Sequence, residues 1–432
     1  MFGKTFDIRI PGFDKDLISF IQEKNAIDFE IRNDVEVIIK EIRSKGDEGV
    51  VFATNKFDQR RAVSIEDLKI NEEQIFESSQ KVDKEIMDAL YFSFERISSF
   101  HKKSFSKLPK NDDNEIGRVS RAIDDVLMYV PGGKASYPST VLMCAGPAKS
   151  AGVRSLVLTT PCPSGTINEL TLAAAHVAGI KEVYSIGGAQ AIAAFGLGTE
   201  SIPRVQKIVG PGNQYVAEAK RQLFGEVGID SIAGPSEIVV VADNSSNPTT
   251  VAWDLMAQAE HDEQACSILI SLSDKFIQAV NAIIKIEISQ LSRSNIIKES
   301  LKKNGASFLV ENTSQAADIV NQIAPEHLHL VTGSAEQDAK RITRSGLILV
   351  GEDSANSLSD YVLGPSHVLP TGGASSFSSP LSVEDFMVTS SYVHLDSAQD
   401  MQSYQQLLDT TIILANAEGL SAHAIAAQKR KK

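Results

Sequence analysis

Cysteine is scarce in this sequence of 432 residues: Cys144, Cys162 and Cys266 lie far apart and form no CxxC pair. So sparse and odd a number argues against a disulfide framework and favours a reducing compartment. No apolar run approaches the roughly 18 residues that a membrane-spanning helix needs. The first residues carry scattered charges in place of the apolar stretch of a signal peptide. These absences predict a soluble, cytoplasmic protein.

Basic residues are the minority charge, since Lys and Arg number 42 and Asp and Glu number 55, for a net charge of −13. A surface this acidic repels phosphate backbones and anionic lipids, so we expect neither nucleic acid nor a membrane as the main partner. The hydrophobic fraction of 42% and the charged fraction of 22% exclude a disordered or fibrous chain. At about 150 residues per domain, the length suggests roughly three structural units.

The N-terminal part of the sequence has helical rather than strand-like patterns. We expect the first 25 or so residues to be extended or loosely structured. Apolar residues then recur at three- and four-residue spacing over residues 35–57, with a break near Gly46, and over residues 73–105. This spacing predicts amphipathic helices.

From about residue 125, short runs rich in branched apolar residues alternate with alanine-rich helical patterns. A strand recurs about every 25 residues with a helix between each pair, which predicts parallel, doubly wound sheets in two α/β units. A Gly/Ser/Pro-rich stretch, residues 364–380, precedes a helical tail over residues 402–427. The predicted strands are 155–160, 183–186, 207–209 and 238–242 in the first series, and 267–272, 308–310, 328–331 and 347–350 in the second.

Four junctions between predicted strands and helices contain glycine-rich loops, at residues 130–133, 187–190, 210–213 and 234–237. Such loops at the carboxyl ends of parallel strands are places where ligands bind, because glycine permits close backbone approach and a helix N-terminus offers free N–H groups. The alternative is that these residues make ordinary tight turns. The GxGxxG fingerprint is absent, so these loops alone do not establish a dinucleotide site.

Six of the eight histidines follow residue 260. Gln258 and His261 are three residues apart on a predicted helix, so they can either bind a divalent metal from one face or simply face solvent. Glu326 and His327 form a carboxylate–imidazole pair, which suits acid–base catalysis or forms a solvated loop end. Asp360 can serve as a carboxylate ligand or as a turn residue.

Nine motifs, in order, resemble those of histidinol dehydrogenases, and the resemblance runs from about residue 30 to the end. Any one of them could occur by chance, whereas nine at family-like spacing indicate common ancestry. The motifs are YVPGG (129–133), YPSTVLM (137–143), GGAQAI (187–192), GPGN (210–213), AGPSE (233–237), QAEH (258–261), APEHL (324–328), GPSHVLPT (364–371) and EGLSAH (418–423).

The resemblance implies an NAD-dependent, four-electron oxidation of L-histidinol to L-histidine through L-histidinaldehyde, the last step of histidine biosynthesis. It also implies one zinc ion per subunit and a homodimer with shared active sites. The fold it implies has two incomplete Rossmann-like, doubly wound parallel-sheet units and a small, mainly helical tail exchanged between the two subunits.

The same resemblance implies a role for particular residues. His327 is expected to be the general base and Glu326 to activate water, while zinc positions the substrate. The implied zinc ligands are Gln258, His261, Asp360 and His423. The implied substrate contacts are these four residues together with Ser236, His327, His367 and Glu418. The implied NAD contacts are Tyr129, Gln190 and Asn213.

The implied domain organisation is discontinuous. Residues 28–130 and 239–380 are expected to form a first, catalytic α/β domain, and residues 131–238 a second, NAD-binding one. Residues 1–27 are expected to be an arm that belongs to the tail, and residues 381–432 to be the exchanged helical tail.

Three positions depart from the family pattern: Ser366 stands where Asn is usual, Ser359 where Gly is common, and His329 where Glu is usual. None of them removes a ligand or a catalytic group. An alternative function is a related zinc-dependent dehydrogenase of another small alcohol, such as a sulfonated propanediol. A non-catalytic metal-binding scaffold is a third possibility, but it predicts that the catalytic residues should have decayed, and they are present.

Overall fold

The computed structural model describes residues 2–24, 29–105, 116–132, 136–163, 165–395 and 401–431. Gly133 of the first glycine-rich loop lies outside the described residues. Within them, the chain forms two compact units: the larger lies within residues 1–107 and 122–386, the smaller within 108–121 and 387–432. Among the described residues, the structure contains no helix with the length and apolar character to span a membrane.

The described strands and helices alternate along most of the chain. The strands are β1 (Lys4–Asp7), β2 (Lys69–Ile70), β3 (Ile116–Ala122), β4 (Asp125–Tyr129), β5 (Ser155–Thr159), β6 (Glu182–Tyr184), β7 (Lys207–Val209), β8 (Gly228–Ile229), β9 (Glu237–Ala242), β10 (Cys266–Ser271), β11 (Ala306–Leu309), β12 (His327–Leu330), β13 (Leu347–Val350) and β14 (Met387–Val393). The helices are α1 (Phe13–Lys24), α2 (Phe29–Lys45), α3 (Asp47–Phe57), α4 (Glu72–Ser79), α5 (Lys84–Phe105), α6 (Pro138–Ala151), α7 (Glu169–Val177), α8 (Gly188–Leu197), α9 (Gln214–Leu223), α10 (Pro248–Ala259), α11 (Asp274–Glu287), α12 (Ser294–Lys303), α13 (Thr313–Ile323), α14 (Ala335–Ala339), α15 (Asn356–Tyr361), α16 (Met401–Ala417) and α17 (Ser421–Gln428).

The first sheet has the order β1-β11-β10-β9-β12-β13, and its strand pairs are parallel. Its central strand β9 is buried along its length and is apolar after Glu237, because helices cover both faces. Alternate residues of β9 point to opposite faces. Ile238 and Val240 pack with helices α10 and α11, whereas Val239 and Val241 pack with α1 and α13.

The second sheet has the order β2-β6-β5-β4-β7-β8, with parallel pairs except for the short antiparallel edge strand β2. Its core joins α2, α8 and α9 to the sheet through Val35, Ile192 and Val216. The predicted mixed α/β fold with parallel sheets is confirmed.

Two predictions about the N-terminal half are corrected by the strand pairing. Of residues 1–27, which are expected to be an extended or loose arm of the tail, the described residues 2–24 contain a strand and a helix of the larger unit: β1 pairs with β11, and Phe13, Leu17 and Phe20 of α1 enter the core of the first sheet. Residues 28–130 were grouped with 239–380, but β4 pairs with β5 and β7 of the second sheet, and α2 packs on α8 and α9. A strand pattern predicts that a segment is a strand but does not specify which sheet it joins.

The smaller unit contains the two-stranded sheet β3–β14 and the helices α16 and α17. The predicted helical tail over residues 402–427 is therefore two helices. They are separated at Gly419, which adopts a left-handed backbone conformation with φ +74° and so ends α16.

Candidate active site

The predicted catalytic pair lies at the amino end of β12. Ala324 ends helix α13 in the left-handed conformation, with φ 48° and ψ 61°, and Pro325 then leads the chain into the strand. This sharp turn places Glu326 and His327 at the amino-terminal end of the strands, where both side chains are buried. A left-handed conformation is costly for alanine, so its surroundings must hold it in place.

The backbone of Glu237, at the start of the neighbouring strand β9, contacts both members of the pair. Its N–H donates to Glu326 Oε2 at 2.7 Å, and its carbonyl oxygen accepts from His327 Nδ1 at 3.0 Å. Since Nδ1 must carry a hydrogen to bond a carbonyl, Nε2 is the ring nitrogen available for chemistry. His327 Nε2 lies 3.7 Å from Asp360 Oδ1, too far for a hydrogen bond, and it has no hydrogen-bond partner among the described residues.

Two carboxylates control the charge of His327. Burial lowers the pKa of His327, but the charges of Glu326 and Asp360 raise it more, so that it reaches about 10. Burial likewise raises the pKa of Asp360, and interaction with His327 outweighs burial and brings this pKa below its usual value. The two groups therefore favour each other's charged form in the chain described here.

The predicted metal ligands Gln258, His261 and Asp360 lie on segments that adjoin this pair. Gln258 is in the last turn of α10, His261 follows that helix, and Asp360 is on α15. The fully buried Gln258 side chain has an amide nitrogen without a hydrogen-bond partner among the described residues, and Asn356 of α15 donates to its oxygen at 3.1 Å. A buried amide, an imidazole and a partly buried carboxylate are a donor set that fits zinc.

Three or more His, Cys, Asp or Glu side chains grouped as for a metal ion are not found within the described residues. The larger unit supplies two of the predicted ligands of these types, His261 and Asp360, together with the amide of Gln258. The fourth predicted ligand, His423, belongs to the smaller unit, where it is exposed on α17. Glu418, a predicted substrate contact, is also exposed there.

His367 lies against the same helix as Asp360. Its Nδ1 donates to the Asp360 backbone oxygen at 3.0 Å, and its Nε2 lies 3.2 Å from Thr140 Oγ1. Burial lowers the pKa of His367, which favours the neutral ring, and Nε2 can then accept from the Thr140 hydroxyl. Ser236, the remaining predicted substrate contact, is half-buried directly before β9.

The predicted NAD contacts lie at the carboxyl ends of strands in the second sheet. Tyr129 ends β4, Gln190 is in the first turn of α8 after β6, and Asn213 caps α9 after β7. The Tyr129 hydroxyl accepts from the Gly188 N–H at 3.1 Å, which links the ends of two of these strands. Burial raises the pKa of Tyr129, so its hydroxyl keeps its hydrogen and can also donate. The structure thus brings the first three glycine-rich loops to one edge of the second sheet.

The fourth loop, residues 234–237, does not follow a strand but precedes β9, so it lies at an amino end. The prediction that each loop joins a strand to the helix after it is wrong for this one, because it leads into β9. The loop nevertheless carries Ser236 and Glu237, beside the pair described above.

The loop at residues 210–213 is held by a buried ion pair. Lys220 Nζ donates to Asp230 Oδ1 and to the Gly210 carbonyl, both at 2.6 Å, and Asp230 Oδ2 accepts from the Gly210 N–H at 2.6 Å. Gly210 has φ +105°, and a Cβ there would meet the Tyr129 backbone oxygen at 2.1 Å. The position therefore requires glycine for both its conformation and its space.

Sequence reasoning missed four residues that hold the site in place: Glu237, Asn356, Thr140 and Asp58. Asp58 Oδ2 accepts from the Gly187 N–H at 3.0 Å and from Gln190 Nε2 at 3.5 Å. Burial raises the pKa of Asp58. Glu237 and Thr140 fall inside the motifs quoted above, but nothing in the sequence signals the backbone contacts of Glu237 or the contact of the Thr140 hydroxyl with His367. Asp58 and Asn356 lie outside every motif.

Comparisons with known proteins agree with this geometry. The sequence matches the family model described as histidinol dehydrogenase over residues 21–431. It is 42% identical to histidinol dehydrogenase of Gluconobacter oxydans over 430 residues, which cover 99% of both chains. It is 44% identical to that of Pseudomonas aeruginosa over 423 residues, or 97% of this chain and 95% of the relative.

A solved structure supports the same assignment. The crystal structure of histidinol dehydrogenase from Elizabethkingia anophelis matches with a TM-score of 0.90 and 31% identity, covering 99% of this chain and 97% of that one. A match of the whole chain in both sequence and fold leaves no part of it outside the relationship. This chain therefore belongs to the histidinol dehydrogenase family, and it is an oxidoreductase with a dinucleotide cofactor.

Proposed function

We propose that this chain catalyses the four-electron oxidation of L-histidinol to L-histidine through L-histidinaldehyde, with NAD as the acceptor. The observation that carries the proposal is the buried Glu326–His327 pair, which the backbone of Glu237 holds beside Asp360. A buried pair of titratable groups that can exchange protons is typical of a catalytic site.

His327 serves as the general base. Each oxidation removes one proton from an oxygen and a hydride from the carbon that bears it, and Nε2 is the ring nitrogen free to take the proton. A base must be unprotonated, and the pKa of about 10 belongs to a ring beside two uncompensated carboxylates. Positive charge bound at Asp360 offsets one of them and lowers the pKa of His327 towards neutrality.

Glu326 activates the water that the second oxidation requires. An aldehyde has no hydroxyl proton to lose, so water must add to its carbonyl carbon before a second hydride can leave. Glu326 Oε2 is fixed by the Glu237 N–H, which leaves its other oxygen to accept a proton from that water. The sum is one histidinol, two NAD and one water giving histidine and two NADH, with the protons released to solvent.

Zinc would be held by Gln258, His261 and Asp360 of one chain and by His423 of a second copy. When bound, it would fix the amine and imidazole of the substrate so that the carbinol meets His327. Ser236, His367 and Glu418 would complete the substrate contacts, the last from the second copy. Support for a homodimer with exchanged tails comes from the exposure of Glu418 and His423 within a single chain.

NAD, when bound, would accept the hydride from the substrate carbon. We place it against Tyr129, Gln190 and Asn213, at the junctions that follow β4, β6 and β7. The strands β4 and β7 are neighbours from which the chain proceeds in opposite directions across the sheet, and ligands of doubly wound sheets bind at such a switch point. This assigns cofactor binding to the second sheet and catalysis to the first.

The test is NADH formation by zinc-loaded protein given NAD and L-histidinol and followed to completion. We expect two NADH per histidinol, and loss of the reaction when a chelator removes the metal. One NADH per substrate would contradict the second oxidation. Absence of NADH from folded, metal-loaded protein, with turnover of a small diol that histidine does not inhibit, would instead support the dehydrogenase of another alcohol.

Gln258→Ala and His423→Ala test the metal assignment directly. Each should lower the zinc content with the fold intact, because each removes a ligand. Full occupancy in both variants would exclude these two ligands. Mixed dimers of a His327→Asn chain and a His423→Ala chain should regain activity, since one site would then have both groups. Verified heterodimers without activity would contradict shared sites.

A further inference from the structure

The buried amides of Gln258 and Asn356 face each other. Asn356 Nδ2 donates to Gln258 Oε1 at 3.1 Å, and both side chains are almost completely inaccessible to solvent. In this arrangement Gln258 Nε2 and Asn356 Oδ1 have no hydrogen-bond partner within the described residues. Two buried amide atoms without partners are costly, and they call for an explanation.

An amide can turn end for end with almost no change of shape, so its hydrogen bonds decide which end faces which way. Turning both amides keeps their contact, because Gln258 Nε2 then donates to Asn356 Oδ1. The same turn brings the Gln258 oxygen to the side where its nitrogen has no partner. A cation binds the oxygen of an amide and not its NH₂ group, so this second arrangement is the one that suits a metal.

Asn356 also shares a helix with a second predicted ligand. Asn356 is the first residue of α15 and Asp360 is the fifth, and residues four apart lie on one face of a helix. The hydroxyl of Ser359 donates to the Asn356 carbonyl at 2.6 Å and holds this helix start in place. One short helix thus carries both a carboxylate ligand and the residue that contacts the amide ligand.

We propose that Asn356 is a positioning residue, which accepts a hydrogen bond from the Gln258 NH₂ group and thereby turns the Gln258 oxygen towards the metal. This inference rests on the zinc site proposed above. Asn356 touches neither substrate nor metal in this scheme. It acts by removing the orientation of Gln258 in which an NH₂ group faces the cation.

The test compares Asn356→Leu in two backgrounds, the natural chain and Gln258→Glu. A glutamate ligand has two equivalent oxygens, so its orientation needs no partner. We expect Asn356→Leu to weaken Zn²⁺ binding about 10- to 100-fold in the natural chain, and less than about threefold in Gln258→Glu. Zinc affinity is measured by competition with a chromophoric chelator, and the visible absorption of the Co²⁺-loaded protein reports a change in the ligand set.

Two further variants separate orientation from general disruption. Asn281→Leu, on α11, removes another amide with an unpaired buried oxygen, and it should leave zinc affinity unchanged. Asn356→Asp can accept but not donate, so it should bind zinc at least as tightly as the natural chain.

The outcomes discriminate between this inference and the zinc site itself. Equal losses in the two backgrounds, or weaker binding by Asn356→Asp, would overturn the role of Asn356 and leave the metal site standing. An unchanged Co²⁺ spectrum together with unchanged affinity in Asn356→Leu would overturn it as well. Failure of the natural chain to bind Zn²⁺ would overturn the inference together with the proposed metal site.

Discussion

The two large sheets have the same strand order, but their predicted site residues lie at opposite ends of the strands. In the first sheet β9 is central, with β10 and β11 to one side and β12 and β13 to the other; in the second sheet β4 is central, with β5 and β6 to one side and β7 and β8 to the other. The predicted cofactor residues follow β4 and β7 at their carboxyl ends, as the topology leads one to expect. Of the predicted catalytic pair, Glu326 directly precedes β12 and His327 is its first residue, so both lie at its amino end.

Hydrogen bonds within the chain occupy part of the carboxyl end of the first sheet. After β9, Asp243 accepts from the Ser245 N–H at 2.8 Å and from the Gly333 N–H at 3.0 Å. The Ser246 hydroxyl donates to the Val331 carbonyl at 2.7 Å, and this bond joins the segment after β9 to the segment after β12. The Ser245 and Gly333 N–H groups are therefore already bonded within the chain and are not available to an anion. Strand order creates a crevice, and the residues after each strand decide whether a ligand can use it.

Replacement of His327 should have the largest effect on activity. It should change catalysis, which is proposed for the first sheet, without changing NAD binding, which is proposed for the second. His327→Asn removes the general base, so we expect kcat to fall about 10²- to 10⁴-fold. The KM for NAD should remain within about twofold, because the predicted NAD contacts belong to the other sheet. Steady-state NADH formation measures both quantities.

The matched control is His176→Asn, on α7, which should leave both quantities unchanged. His176 contacts the ring of Phe76 and lies on no strand end. A kcat for His327→Asn within a factor of about three of that of the natural chain would show that the chemistry does not depend on the amino end of the first sheet.

Loss of the buried ion pair should destabilise the second sheet most. Lys220→Met leaves the Asp230 carboxylate buried beside the Gly210 loop without its cation, and we expect a loss of about 3–5 kcal/mol in the free energy of unfolding. Lys40→Met, which breaks the exposed Glu36–Lys40 pair, should change it by less than about 0.5 kcal/mol. Denaturant titration gives both values. Equal effects would mean that burial does not strengthen this pair.

Asn213 allows cofactor contact to be separated from helix capping. Its side-chain oxygen accepts from the Tyr215 and Val216 N–H groups at 3.0 and 3.1 Å, so Asn213→Ala should cost about 1 kcal/mol of stability. Asn168 caps α7 in the same way, and Asn168→Ala should cost about as much. The KM for NAD should rise for Asn213→Ala and stay constant for Asn168→Ala. Equal KM values for NAD in the two variants would mean that Asn213 only caps the helix and does not contact the cofactor.

The smallest expected effect is a pH dependence at Asp243. Burial raises the pKa of Asp243, but hydrogen bonds from Ser245 and Gly333 outweigh it and leave the pKa below its model-peptide value of 3.8. A depressed folded pKa contributes stability above pH 4, and this contribution is lost as the pH falls through the folded pKa. Asp243→Asn should therefore cost less than about 1 kcal/mol at pH 6, since the group is partly exposed, and still less at pH 3. A cost that grows on acidification would contradict this assignment.

Much of the fold was predictable, because most core strands contain short runs of branched apolar residues. The predicted strands at residues 207–209 and 347–350 agree with the structure at both ends, and 238–242 differs from β9 by one residue. Sheet membership was not predictable for β4, since a strand that is buried on both faces fits the centre of either sheet. The N-terminal strand β1 was missed because four residues with two charges show no periodicity.

The motifs predict candidate site residues, and the structure shows which neighbours hold several of them in place. Glu326 and His327 were recognisable as a pair. Their common partner is the backbone of Glu237, and a backbone group has no signature in a sequence. Asn356 was missed for a related reason: its contact with Gln258 joins residues 98 positions apart.

The pairing of β1 with β11 joins two strands that are synthesised at widely separated times. Lys4 lies beside Ala306, so β1 has no partner until about 300 further residues have been synthesised. At about 5–20 residues per second, that delay is roughly 15–60 s. During that interval the edge of β11 is not yet available to cover β1, and the segment offers unpaired N–H and C=O groups to other chains. A bulky tag fused ahead of β1 would have to be accommodated when β1 pairs with β11 at this edge of the sheet, so such a tag should lower the recovery of folded protein.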